Sequence, residues 1–281
     1  MMKKINDIIG DAKTIGIAGH LRPDGDCMGS CMSLYNYLKK NRPDLDVRVF
    51  LEFVDKKFNI IENTDQIITT GYDGTKFDLF ISLDTASLDR LGLNLPFYEN
   101  AKRTACIDHH ASNDGYADYN YILPKASSAS EVLYDLLDED LIDKSIAEPM
   151  YMGIAHDSGV FRFQSTTPKT MRIAANMIEK GVNVNMILEE TFFRKTYNQM
   201  MVTAKIQSEA VLALDGKCIY GYCTSEMMEE YGVTTKDLDA VVASIRNVDG
   251  VEVAMFLYQL SEDSYKVSLR SKNYVDVSKI A

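Results

Sequence analysis

A chain of 281 residues exceeds the usual size of one domain, so two are expected. Hydrophobic residues make up 46% and charged residues 25%, the balance of an ordinary globular protein, and no run of about 18 apolar residues marks a membrane span. The formal charge of −11 argues against a broad basic groove for duplex nucleic acid but leaves room for a small anionic substrate held by bound cations.

The opening Met-Met-Lys-Lys lacks the apolar region of a signal peptide. The five cysteines (Cys27, Cys31, Cys106, Cys218, Cys223) are odd in number and lack metal-knuckle spacing, which suits a reducing cytoplasm. Cytoplasmic localisation is therefore expected.

The first 165 residues alternate short apolar runs with helical patterns, predicting an α/β domain with a mostly parallel sheet and flanking helices. Strands are expected at 14–18, 47–50, 78–83 and 104–107. The third is apolar on both faces and so belongs in the centre of a sheet. Helices are expected at 27–40, 128–137 and 147–156, with helical patterning again from 167 to about 214. These features divide the chain into a larger α/β domain at 1–188, a partly helical linker at 189–205 and a smaller α/β domain at 206–281. In the smaller domain, strands are expected at 217–223, 251–260 and 265–269, and helices at 225–231 and 238–245.

All four histidines sit in aspartate-containing clusters. His20 opens a segment that continues through Pro23, Asp24, Gly25 and Asp26 to Gly29 and Ser30. Asp84 follows the third strand, Asp108, His109 and His110 follow the fourth, and His156 precedes Asp157. Imidazole and carboxylate together form the ligand set of Zn, Mn or Fe. Three of these clusters follow strands, and ligands of open α/β sheets bind outside the carboxyl ends of strands.

Between Asp24 and Asp26, the Pro-Asp-Gly-Asp turn lets two carboxylates diverge toward two metals. Asp84 has two oxygens with which to bridge cations about 3.5–4 Å apart. Asp-His-His supplies one imidazole for metal, a carboxylate to orient a ring, and a second imidazole to face phosphate. Gly29 and Ser30 are placed in the first turn of the following helix, where free N–H groups hold a phosphate oxygen. His156 is read as a packing or capping residue. The segment 125–131 is a polar helix cap that could also offer hydroxyls to substrate.

These four motifs, in this order, resemble those of the DHH phosphoesterases, and the likeness extends over nearly the whole chain. The branch with a second domain called DHHA1 is most similar, in particular bacterial nanoRNases that also act on 3′-phosphoadenosine 5′-phosphate. The resemblance implies two divalent metal ions, usually Mn²⁺. His20, Asp24 and Asp84 would bind one, and Asp26, Asp84, His109 and Asp157 the other. His110 would contact the scissile phosphate, and Asp108 would support the neighbouring imidazoles. In the second domain, Arg270 and Ser271 would bind substrate. The family pattern continues beyond residue 281 into a glycine-rich loop, so either the sequence is cut short there or the loop is absent.

The reading is a metal-dependent phosphodiesterase that cuts short oligoribonucleotides or dinucleotides such as pApA to mononucleotides in a cleft between domains. Phosphatase action on 3′-phosphoadenosine 5′-phosphate accompanies it. The resemblance is compatible with a homodimer, and neither a membrane nor duplex nucleic acid is an expected partner. Alternatives are a cyclic di-AMP phosphodiesterase, a related inorganic pyrophosphatase, or an inactive nucleotide-binding protein.

Overall fold

In the first part of the chain, alternate residues of the strands point to opposite faces, so the sheet packs an aliphatic core on one side and an aromatic core on the other. The computed structural model describes residues 4–238 and 241–280. The chain divides into two units, Met1–Arg194 and Lys195–Ala281.

Unit 1 runs through α1 (Ile5–Ile9), β1 (Thr14–Ala18), α2 (Gly25–Asn41), β2 (Asp46–Phe50), β3 (Leu79–Leu83), α3 (Leu95–Glu99), β4 (Thr104–Asp108) and β5 (Tyr119–Ile122). It continues with α4 (Ala129–Leu136), α5 (Lys144–Asp157), α6 (Pro168–Glu179) and α7 (Val184–Leu188), and ends in a π-helical turn, Glu189–Phe193. The five strands are all parallel, in the order β2-β1-β3-β4-β5. Central placement of the third strand holds: β3 is the middle strand, with every residue buried. Ile15, Ile17, Val47, Val49 and Ile81 pack on one face in a core shared with α2, α4 and α5. Phe50, Phe77, Phe80 and Phe97 form an aromatic core on the other, with Phe50 and Phe97 stacked at 4.3 Å. β5 was not anticipated. Its Tyr-Asn-Tyr-Ile sequence is short and carries no buried residue, as befits an edge strand.

α2 starts two residues before its expected position because the Asp24 side chain caps it, accepting from the Asp26 and Cys27 N–H groups. α5 starts at Lys144 behind the Asp143 cap and carries Pro149 in its interior. Proline has no N–H for the Ser145 carbonyl one turn back; the buried Asn36 amide of α2 donates to that carbonyl instead, at 2.8 Å.

Unit 2 comprises α8 (Tyr197–Glu209), β6 (Val211–Ala213), β7 (Cys218–Cys223), α9 (Ser225–Tyr231), α10 (Val241–Arg246), β8 (Val253–Ser261) and β9 (Ser264–Ser271). Its sheet order is β6-β7-β8-β9, parallel between β7 and β8 and antiparallel at both edges. Val202 and Ile206 of α8 and Val241, Val242 and Ile245 of α10 pack against Ile219, Ala254, Phe256 and Tyr258. The segment expected as a linker contains the π-helical turn of unit 1 and the first part of α8. The helical pattern expected to reach residue 214 stops at Glu209, where β6 replaces it. The helix expected at 238–245 is seen as α10, and residues 239 and 240 lie outside the described residues. No helix among the described residues is long and apolar enough to cross a membrane.

Candidate metal centre

The strand order reverses beside β1, so the loops after β1 and β3 diverge and leave a crevice at their carboxyl ends. His20 comes from the first loop and Asp84 from the second, with His20 Nε2 3.4 Å from Asp84 Oδ2 and 3.7 Å from Asp24 Oδ1. The other ring nitrogen, Nδ1, lies 2.7 Å from the Leu21 carbonyl. That bond places the proton on Nδ1 and turns the Nε2 lone pair toward the carboxylates, the tautomer a metal ligand needs. Asp84 has a left-handed backbone, φ +52°, uncommon away from glycine. Its N–H still reaches the Ile107 carbonyl at 3.1 Å, so the chain turns out of the sheet at this carboxylate.

On the other side of Asp84, His109 Nε2 lies 3.4 Å from Asp84 Oδ1, 3.1 Å from Asp157 Oδ2 and 3.9 Å from Asp26 Oδ2. Donor atoms fall into three groups whose members lie within 4.8 Å of one another: His20, Asp24 and Asp84; Asp26, His109 and Asp157; Asp84, His109 and His110. Asp84 Oδ1 and His109 Nε2 are buried without a hydrogen-bond partner. Buried polar atoms left so are costly. Atoms that converge on a common point rather than pairing are what a cation would satisfy, so the residues present fit a metal.

Their electrostatics agree. Burial works against a charged His20, yet Cys27, Asp24 and Asp84 push its pKa up to about 12. Burial likewise opposes charge on His109, but Asp157, Asp84 and Asp26 push it up to about 11. Burial, with Asp84 and Asp157 nearby, holds Asp26 well above the carboxylate range. In both sets, protons stand in for positive charge that the carboxylates demand.

Asp108 ends β4, fully buried. Its Oδ1 lies 2.8 Å from His110 Nδ1 and accepts the His109 backbone N–H at 2.8 Å, and its Oδ2 accepts from Asn113 at 2.7 Å. It therefore orients one imidazole, that of His110, and holds His109 through the backbone only. Asp108 raises the His110 pKa against the effect of burial. His110 lines a cleft of about 230 Å³ together with His20, Asp24, Asp84, Ala86, Arg90 and Asp157.

Other expected site residues are not among these donor groups. Gly29 and Ser30 are not in the first turn of α2, because the helix starts at Gly25; both are buried, and the Ser30 hydroxyl donates to the Asp26 carbonyl at 2.8 Å. They hold no free N–H groups for a phosphate. Arg270 lies on β9 in unit 2, exposed, in register with Ala254, and donates to the Leu269 carbonyl at 2.9 Å. The neighbouring Ser271 carbonyl accepts from Arg246 at 3.1 Å. His156 is outside all three donor groups. Its ring packs flush on Gly25, its Nε2 meets Thr191 at 2.9 Å, and burial holds its pKa down at about 4.

Several contributors carry no sequence signal of their own. Arg90 Nη2 comes within 3.3 Å of His20 Nδ1, a nitrogen already donating to a carbonyl, so its guanidinium remains available to an anion in the cleft. Asn113 locks Asp108 and the Thr85 carbonyl from an ordinary turn. The serines of 125–131 do not face the cleft. They are buried, and α4 turns its first N–H groups to Asp26: Ala129 N donates to Oδ2 at 2.6 Å and Ser130 N to Oδ1 at 3.0 Å.

A sequence model of the DHH family N-terminal domain matches residues 14–154, half of the chain. The chain belongs to the DHH family. Among DHH relatives, the bifunctional oligoribonuclease and PAP phosphatase NrnA of Thermus thermophilus is 30% identical over 277 residues, covering 95% of this chain and 79% of its own length. The Bacillus subtilis protein of the same name is 26% identical over 267 residues, covering 93% of this chain and 82% of its own length. Among solved structures, an exopolyphosphatase-related protein from Bacteroides fragilis superposes with a TM-score of 0.86 at 22% identity, over 95% of this chain and 82% of that one. This last likeness concerns the fold.

Proposed function

We propose that this chain is a metal-dependent phosphoesterase that hydrolyses short oligoribonucleotides and dinucleotides such as pApA to mononucleotides and dephosphorylates 3′-phosphoadenosine 5′-phosphate. The observation that carries the proposal is the convergence of His20, Asp24, Asp26, Asp84, His109 and Asp157 from distant segments in one crevice, with Asp84 Oδ1 and His109 Nε2 left unpartnered. The relatives named as oligoribonuclease and PAP phosphatase support the substrate class.

In this reading His20, Asp24 and Asp84 hold one divalent cation, and Asp26, Asp84, His109 and Asp157 a second, with Mn²⁺ the preferred ion. Such a pair supplies an activated water and charge stabilisation for the entering and leaving oxygens. The protein's part is orientation. His20 is held in its ligating tautomer by the Leu21 carbonyl, and Asp26 by the start of α4. His110, whose pKa Asp108 raises, presents its outer nitrogen to a phosphate oxygen. Arg90 adds a permanent cation to a cleft otherwise crowded with carboxylates. Arg270 and Ser271 of unit 2 recognise the nucleotide away from the bond being cut, where the guanidinium fork suits phosphate.

The test is a turnover panel of pApA, a five-nucleotide RNA, 3′-phosphoadenosine 5′-phosphate, cyclic di-AMP and pyrophosphate, each with Mn²⁺ and with chelator. Release of AMP from pApA, abolished by chelator, is the expected result. Turnover of pyrophosphate alone, or none with any of the five, contradicts the proposal.

A further inference from the structure

Asp26 is fully buried, and both its oxygens are tied to backbone N–H groups in the first turn of α4, at 2.6 and 3.0 Å. The room for the carboxylate at that turn comes from a third element. Gly153 lies in α5, one turn before Asp157, so the two share a face of that helix. A Cβ at position 153 would stand 2.1 Å from Ser130 Oγ, 2.7 Å from Asp26 Oδ1 and 3.0 Å from Ser130 Cβ. Ser130 Oγ itself is buried without a hydrogen-bond partner in that gap. Alanine in a helix interior is favoured over glycine by about 1 kcal/mol, so α5 gives up stability to leave this space open.

We propose that Gly153 is a positioning residue for the Asp26 carboxylate, and through it for the cation held by Asp26, His109 and Asp157. This rests on reading that cluster as a metal site. α5 then serves the cluster twice along one face, giving a ligand at Asp157 and, at Gly153, room for Asp26 to meet it. A side chain at 153 has to displace Asp26 or Ser130, and the two backbone bonds to Asp26 leave little slack for either. A purely structural alternative exists, because Gly29 of α2 also approaches the Gly153 backbone: a Cβ at position 29 would stand 2.8 Å from Gly153 N. Under that alternative, a substitution lowers stability and leaves metal affinity alone once the fold is restored.

The test compares wild type, Gly153→Ala, and Gly153→Ala combined with Ser130→Gly, all in the full chain. Mn²⁺ stoichiometry and affinity are measured by equilibrium dialysis, and melting temperature in chelator by circular dichroism. We expect Gly153→Ala to bind one of two Mn²⁺ ions at least tenfold more weakly. The double variant removes the contacts at 2.1 and 3.0 Å and keeps the one at 2.7 Å. It should therefore recover much of the melting temperature lost by the single variant and still bind that ion weakly. If Gly153→Ala is too unstable to isolate, the double variant decides alone. Wild-type Mn²⁺ affinity in the single variant, or in the double variant, overturns the role of Gly153. A wild-type chain that binds no Mn²⁺ overturns instead the metal reading on which the inference rests.

Discussion

Replacing Asp84 by asparagine removes one charge and keeps the shape. Asparagine also tolerates the left-handed backbone at φ +52°, so strain is not added, as it would be with alanine. The two carboxylate oxygens lie 3.4 Å from His20 Nε2 and 3.4 Å from His109 Nε2, so both proposed cations lose a ligand charge. A lost charge-assisted contact costs about 1.5–3 kcal/mol, or roughly ten- to a hundredfold in affinity. At a free Mn²⁺ concentration of 100 times the wild-type dissociation constant, each cation stabilises the wild type by about 2.7 kcal/mol. A variant weakened about a hundredfold is then half saturated and gains only about 0.4 kcal/mol per cation. For a domain of this size, a melting shift of roughly 5–11 °C per cation in the wild type should shrink to about 1–2 °C. Turnover of pApA should fall at least about 10²-fold, as in other losses of transition-state charge stabilisation. Differential scanning calorimetry with and without Mn²⁺ reads the stability effect. An undiminished Mn²⁺-induced shift would refute the bridging role of Asp84.

The raised pKa values of His20 and His109 make metal binding compete with protons. Near neutral pH, Mn²⁺ binding should release protons and its affinity should rise with pH; calorimetry in buffers of different ionisation enthalpy measures this, and zero release contradicts it. His156 has the opposite sign. Its pKa in the folded chain, about 4, lies below the ordinary 6.5, so its contribution to stability is complete above pH 6.5 and fades as pH falls toward 4. His156→Gln should flatten that part of the stability profile, and His156→Ala should cost far less activity than His109→Ala; equal activity losses would place His156 among the ligands. Arg270→Ala should lower kcat/KM for pApA about ten- to a hundredfold, leave Mn²⁺ bound, and affect bis-p-nitrophenyl phosphate much less, with lysine rescuing only in part. Equal losses on both substrates would put Arg270 at the reacting phosphate.

Much of the site was legible because its residues stand next to strong local signals. Asp84 ends a strand apolar on both faces, and such a strand has to be central, which puts its carboxyl end beside that of β1. His20 and Asp108 follow from the same reasoning at β1 and β4. Gly29 and Ser30 were misplaced because the Asp24 cap moves the helix start by two residues, and that turn decides which N–H groups are free. The clasp on Asp26 was illegible for a different reason. It joins residues 103 and 104 positions apart, and the polar segment before α4 looks locally like any helix cap. Arg90 and Asn113 likewise sit in ordinary turns, where only the fold brings them to the cluster.

The most direct test is anomalous diffraction at the manganese edge from crystals of the chain grown with Mn²⁺. The account predicts two peaks, one against His20 and Asp24 and one against Asp26, His109 and Asp157, with Asp84 touching both. A single peak, or two peaks without Asp84 between them, would contradict it.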